Sequence, residues 1–361
     1  MRTAHPILAA VLLFAFIQGC ATVAPRPATK TSAESMSEIL TSIKDKYKLN
    51  AIIFTADQNG KSILRTALGI SDKEPATLDM HFRIGGIGWQ YLVTVMLKMV
   101  EQKQLSLSDP VSKWYPNYPH ASKITVRMLA ASSAGLGEYI FDEKFVKELT
   151  DNPLRIWTAN DLIEVNKTPQ FDNPGANWAY SHTNFVMLGE ILEKVSGKPY
   201  AKLLDEMVLK PLGFKNTRLQ FDTTVEQPVL HTFEGVKDTT FYNPSFVSWA
   251  ALTSNISELS AWNKAFGTGS LLSAESRKEI TAKSNVGLGP IKSDKAYFGL
   301  GTSIFEPWIF GNAGFWGMHT ATAYDPKTDI SLAVTVAEGP NSQAKGNPAD
   351  EIMHAMMKLF E

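Results

Sequence analysis

The chain has 361 residues, enough for one large domain or two small ones around a sizeable core. Its apolar fraction of 44% and charged fraction of 20% are those of an ordinary globular protein. A formal net charge of −1 gives no electrostatic basis for nucleic-acid binding, and a single cysteine excludes an internal disulfide.

In chain order, Arg2 and His5 come first, followed by an apolar run from Ile7 to Ile17. That run has the length of a signal peptide and is too short for a membrane span. It ends in Ile17-Gln18-Gly19-Cys20, which is similar to the lipobox of bacterial lipoproteins. The similarity implies a signal peptide over residues 1–19 and lipidation of Cys20. Ala21 follows where an aspartate would redirect sorting, which implies an anchor in the outer membrane of the cell envelope, facing the periplasm. Residues 20–35 are rich in Ala, Pro, Thr and Ser and read as a flexible tether, leaving residues 36–361 to fold.

Ser35 or Ser37 is placed to cap a helix running to about Tyr47, with Met36, Ile39, Leu40 and Ile43 on one face. Ala51–Ala56 and Ser62–Leu68 read as strands joined by the turn Asp57-Gln58-Asn59-Gly60. From Trp89 to Val100 the chain is apolar nearly all round, interrupted only by Gln90, Thr94 and Lys98, the pattern of a buried helix. Gly85, Gly86 and Gly88 stand at its entrance, where the absence of side chains lets backbone or ligand come close. Helical patterns follow at Tyr180–Val195, Pro199–Leu209 and Ser254–Phe266. Strands return at Phe298–Phe305, Trp308–Ala313, His319–Tyr324 and Ile330–Val336, and a helix over Asn347–Phe360 closes the chain. Strands at both ends with helices between them predict an α+β fold. Its antiparallel sheet is built from the two chain ends and flanked by helices, with a mostly helical lobe over about residues 80–270.

Phe82-Arg83-Ile84-Gly85-Gly86-Ile87-Gly88-Trp89-Gln90 resembles F-R-I-G-S-x-T-K-Q, the segment that carries S-x-x-K in the serine β-lactamase and penicillin-binding protein superfamily. The likeness is to its class C and DD-peptidase-like branch. Leu107-Ser108-Asp109-Pro110, Ile124–Leu136 and Pro211–Thr217 resemble further segments of that branch in the same order. Trp178–Phe185 resembles F-x-Y-S-N-T-N-Y, and Gly311-Asn312-Ala313-Gly314 stands in place of G-H-x-G or K-T-G. The resemblance covers residues 36–361 and implies a β-lactamase/transpeptidase-like fold with a cleft between two lobes. In that family a serine attacks a carbonyl and a lysine one helical turn later takes its proton. A tyrosine assists, and the strand motif binds the substrate.

Here Gly86 stands at the position of the serine and Trp89 at that of the lysine. Tyr180 is kept, His182 replaces the asparagine, Asn312 carries no charge, and Gly314 keeps backbone space. Glycine cannot attack, and an indole nitrogen only donates. In serine hydrolases loss of the nucleophile alone costs about 10⁶ in turnover. The expectation is a catalytically inactive, lipid-anchored pseudoenzyme. Its remnant cleft, lined by Gly86, Trp89, Tyr180, His182, Asn312 and Gly314, would bind a peptidoglycan fragment or an envelope protein. One alternative is an active serine hydrolase (esterase, D-amino-acid peptidase or β-lactamase-like) that uses Ser181 or Ser133 with Tyr180 or His182. Another is a structural envelope lipoprotein. His319 reads as a surface residue of an edge strand. No metal, phosphate-loop or dinucleotide motif occurs, so no metal and no cofactor is expected.

Overall fold

The computed structural model describes residues 32–361, so the signal peptide, Cys20 and the tether as far as residue 31 lie outside the described residues. The first helix, α1 (Ser32–Tyr47), starts before either expected cap, so residues 32–35 are helical rather than tether. Strands β1 (Ala51–Gln58) and β2 (Lys61–Ser71) follow, joined through Asn59 and Gly60 at φ 50 and 74. Positive φ at both central residues is what the tightest hairpin turn requires. After β3 (Glu74–Pro75), three short strands form a small sheet: β4 (His81–Arg83), β5 (Arg218–Leu219) and β8 (Leu252–Asn255). Strands β6 (Phe233–Glu234) and β7 (Lys237–Asp238) form a separate hairpin.

The C-terminal strands are β9 (Ala296–Phe298), β10 (Ser303–Phe305), β11 (Trp308–Phe315), β12 (Met318–Asp325) and β13 (Ile330–Ala337). With β1–β3 they make an eight-stranded sheet in the order β3-β2-β1-β13-β12-β11-β10-β9, antiparallel throughout. The two chain ends therefore meet at β1 and β13, where Ala51 pairs with Ala337 and Gln58 with Ile330.

The helices of the middle are α2 (Gly88–Glu101), α3 (Val126–Ala130), α4 (Glu143–Asp151), α5 (Ala159–Val165), α6 (His182–Ser196) and α7 (Tyr200–Leu204). A π-helical turn, Asp205–Leu209, carries α7 into α8 (Lys210–Leu212). Later come α9 (Ile256–Thr268), α10 (Ala274–Ile280) and α11 (Pro348–Met357). One sheet face is covered by α1 and α11, whose Met36, Leu40, Ile352 and Met356 pack on Ile52, Phe54, Val334 and Val336. The other face belongs to a larger core that contains α2, α6 and α9.

Helix α2 is the centre of that larger core. It is buried at every position from Gly88 to Leu97, as its all-round apolar pattern requires. Its polar interruptions are satisfied internally. Gln90 accepts from the Trp262 indole (3.1 Å) and donates to Thr302 Oγ1 (3.2 Å). Thr94 Oγ1 donates to the Gln90 carbonyl, and Lys98 Nζ to the Leu271 carbonyl. Tyr91 stacks on Trp262 at 3.6 Å.

Three expected elements have different limits. The strand Phe298–Phe305 is broken into the β9–β10 hairpin, because the turn at Gly301 presses on α2. A Cβ there would lie 2.7 Å from Val93 and 3.0 Å from the Trp89 carbonyl. The helix expected from Tyr180 begins at His182, since Ser181 is its N-cap. The helix expected from Ser254 begins at Ile256, since Leu252–Asn255 is strand and Asn255 is the cap.

Candidate functional site

Strand β4 ends at Arg83, and a 3-10 turn, Gly85–Ile87, leads into α2 against β11. Gly85 has φ +48, and a Cβ on it would come within 2.7 Å of the Phe315 ring and 2.8 Å of Ala313 Cβ. Both backbone conformation and space demand glycine there. Gly86 is different. Its backbone is not left-handed, and a Cβ would lie 3.0 Å from the Asn312 carbonyl oxygen and 3.6 Å from Trp89 Nε1. A side chain here would require the Asn312 backbone to give by a few tenths of an ångström, a milder demand than the one at Gly85. Of residues 81–90, Gly86 alone is not buried.

One helical turn on, Trp89 is 2% exposed. Its indole N–H donates to the Tyr180 hydroxyl (2.9 Å), and its ring stacks on Phe185 at 4.8 Å and 15°. The space expected for a lysine is filled by a packed indole, and the tyrosine oxygen receives a hydrogen bond where proton relay needs a basic nitrogen. Burial pushes the Tyr180 hydroxyl well above the ordinary tyrosine range, and the negative charge of Glu138 adds to this. The Trp89 hydrogen bond offsets only part of the rise. Tyr180 therefore stays protonated at neutral pH and is not a base.

His182 opens α6, its ring edge-on to Tyr180 at 5.1 Å. Its Nδ1 and its backbone N–H both meet the Glu138 carboxylate at 2.9 Å. An ionised carboxylate only accepts, so Nδ1 carries the proton, and in the neutral ring Nε2 is the free acceptor. Burial alone would raise the Glu138 carboxyl. The charge of His182 and hydrogen bonds from His182 and the Ile140 N–H outweigh it and hold the group below the usual carboxylate range.

The candidate serines are placed otherwise. Ser181 is fully buried; its Oγ donates to the Gly137 carbonyl (2.9 Å) and accepts from the Thr183 N–H (3.2 Å), which is capping work. Ser133 is buried in the loop after α3, and among the described residues no histidine or carboxylate hydrogen-bonds it.

Two expected cleft residues require correction. Side chains alternate along a strand, and on β11 Ala313 and Phe315 are the ones that face Gly85. Asn312 points to the opposite side, where its Nδ2 donates to Asp350 of α11 (2.8 Å). A Cβ on Gly314 would likewise meet His319 and Asn347 on that outer side. Asn312 gives the cleft only its carbonyl oxygen. His319 is also corrected: it is fully buried on β12, a central strand, with Nε2 2.7 Å from Glu338.

The structure thus brings Gly86, Trp89, Tyr180 and His182 together and sends Asn312 and Gly314 to the outer side by their side-chain directions. It adds Glu138, Phe185 and Phe298, the last 5.9 Å from Tyr180. Phe185 had a signal in its i+3 spacing from His182. Glu138 had none, since it reaches the site from a loop 44 residues away. Among the described residues no group of three His, Cys, Asp or Glu side chains is placed to hold a metal ion.

The Beta-lactamase family model matches residues 37–355. A putative penicillin-binding protein PbpX of Bacillus subtilis is 26% identical over 52% of this chain and 46% of its own length. Esterase EstB of Burkholderia gladioli is 26% identical over 48% of each. The chain thus spans about half the length of these relatives. Among solved structures, a D-stereospecific amidohydrolase from Streptomyces superposes with a TM-score of 0.79 at 23% identity, covering 90% of this chain and 98% of the other. That likeness carries the α+β fold.

Proposed function

The chain belongs to the Beta-lactamase family, and from that premise we propose that it is a member that forms no acyl-enzyme and uses its cleft to bind. The ligand class is a cell-wall-derived fragment or a protein partner at the envelope, reached from a lipid anchor at Cys20. The observation that carries this reading is the Trp89–Tyr180 hydrogen bond beside Gly86. Nucleophile, proton acceptor and the basic partner of the tyrosine are all absent at that point. A glycine beside the Asn312 carbonyl and the Trp89 indole offers a surface for contact, with no group able to attack.

The test is covalent labelling of the purified full chain with a fluorescent penicillin and a fluorophosphonate. We expect no labelled band while an active relative labels in parallel, and a labelled band would overturn the proposal. Muropeptides that raise the melting temperature saturably would support binding. Their failure to do so would favour a structural envelope role.

A second reading, an active hydrolase, is favoured by one observation, the His182–Glu138 pair with Nε2 free. It requires a hydroxyl or water beside Nε2, and Ser181 is not available for that. It predicts ester turnover that falls on His182→Ala and persists in Ser181→Ala.

A further inference from the structure

At the end of β11 away from Gly86, a groove opens between the sheet and helices α9 and α10. Its floor is Phe266 of α9, Ile280 of α10 and Ile309 of β11, all buried. Its rim carries Arg277 and Lys278 of α10 and Pro326 of the turn between β12 and β13, all exposed. The cavity measures about 290 Å³, close to the lower limit of roughly 300 Å³ for small-molecule sites. Ile309 and Phe315 lie at opposite ends of β11, about 20 Å apart along the strand, so the groove is separate from the cleft at Gly86.

The rim is cationic, and nothing in the fold neutralises it. Among the described residues neither the Arg277 nor the Lys278 side chain makes a hydrogen bond or an ion pair. Glu275 of the same helix pairs with neither. The other carboxylates nearby are committed. Glu279 pairs with Arg127, and Asp329 with Lys264 and the Tyr324 hydroxyl. Asp325 accepts from the Lys327 N–H and the Thr328 hydroxyl. The aliphatic stem of Arg277 lies against Gly269, where a Cβ would come within 2.6 Å of Arg277 Cγ, so packing sets its course along the rim.

An apolar floor under two unpaired cations is complementary to a molecule with an apolar body and an anionic head. We propose that this groove binds an amphipathic carboxylate, one bearing a medium-length acyl chain or an aryl group of similar size. The body covers Phe266, Ile280 and Ile309 and removes apolar surface from water. The head meets the planar donor fork of Arg277, with Lys278 as a second charge. Because the rim is exposed, solvent screens these ion pairs, and they select for the anion while the floor carries most of the affinity. The site does not depend on whether the cleft acylates, so its failure and the failure of the non-acylating reading are separate results.

The test is calorimetric titration of the purified full chain with octanoate, kept below its micelle concentration. Octanamide keeps the body without the charge, and acetate keeps the charge without the body. Octanoate should bind saturably, octanamide at least about threefold more weakly, and acetate without saturation over the same range. Added salt should weaken the binding of octanoate and not that of octanamide. Arg277→Gln combined with Lys278→Gln removes both charges at exposed positions, and this variant should melt as the parent does. It should bind octanoate no better than octanamide and leave octanamide binding unchanged. Absence of saturable octanoate binding, or equal binding of octanamide or acetate, would overturn the proposal. So would octanoate binding that is indifferent to salt or undiminished in the double variant.

Discussion

At the scale of single residues, the site turns on what an indole does where an amine is expected. Trp89 donates to Tyr180, and that bond holds the Tyr180 hydroxyl down against burial and the charge of Glu138. Trp89→Phe removes the donor and keeps most of the stacking on Phe185. The loss should cost about 1 kcal/mol of stability, the usual net worth of such a bond. Urea denaturation should give a midpoint below that of the parent. An unchanged midpoint would mean that the indole and the phenol do not share that hydrogen. Gly86 completes the contrast. Its backbone is not left-handed, but a Cβ would lie 3.0 Å from the Asn312 carbonyl oxygen, so any side chain there requires that strand to give way.

At the scale of elements, α2 was legible from the sequence because nothing in it is polar for long. The glycines at its entrance were also legible, as positions of close approach. The structure says what they approach. A Cβ on Gly88 would fall 2.6 Å from Ala250 Cα and 2.9 Å from its Cβ. Alanine is the better helix former by about 1 kcal/mol, yet Gly88→Ala should lower stability, because the residue it would strike is backbone. Overpacking of this kind costs about 1–3 kcal/mol. Urea denaturation should give a lower midpoint at an unchanged slope. A midpoint at or above that of the parent would show that the loop at Ala250 yields freely. What the sequence hid has a common cause in direction and distance. The spacing of Gly311–Gly314 located strand β11 but not which residues of it face Gly85, since one step along a strand reverses every side chain. Asn312 and Gly314 fell on the outer side for that reason. Glu138 comes from a loop with no periodicity, and its pairing with His182 is purely tertiary. The Phe298–Phe305 run read as one strand because its apolar content continues through a turn that exists only to fit against α2.

At the scale of the whole molecule, the sheet separates two environments. Asn312 touches both: its carbonyl faces Gly86, and its side chain binds Asp350 on α11. Asp350 is half-buried, its Oδ1 closed to solvent and without a hydrogen-bond partner among the described residues; burial pushes its carboxyl up to about 6, while Asn312, His354 and His319 pull the other way. The sign of the linkage follows from these values. The unfolded chain loses this proton near 3.8 and the folded chain near 6, so between those values the folded state holds the extra proton. Stability from this group is complete below about pH 4 and falls as pH rises, reaching a penalty of about 3 kcal/mol above pH 6. Asp350→Asn keeps an acceptor for Asn312 and cannot ionise. The variant should match the parent near pH 4 and melt higher at pH 8, with the gap opening between those limits. A gap that is constant with pH would show that Asp350 ionises as freely in the fold as outside it. The junction between α11 and β11 would then not be the place where the outer layer senses pH.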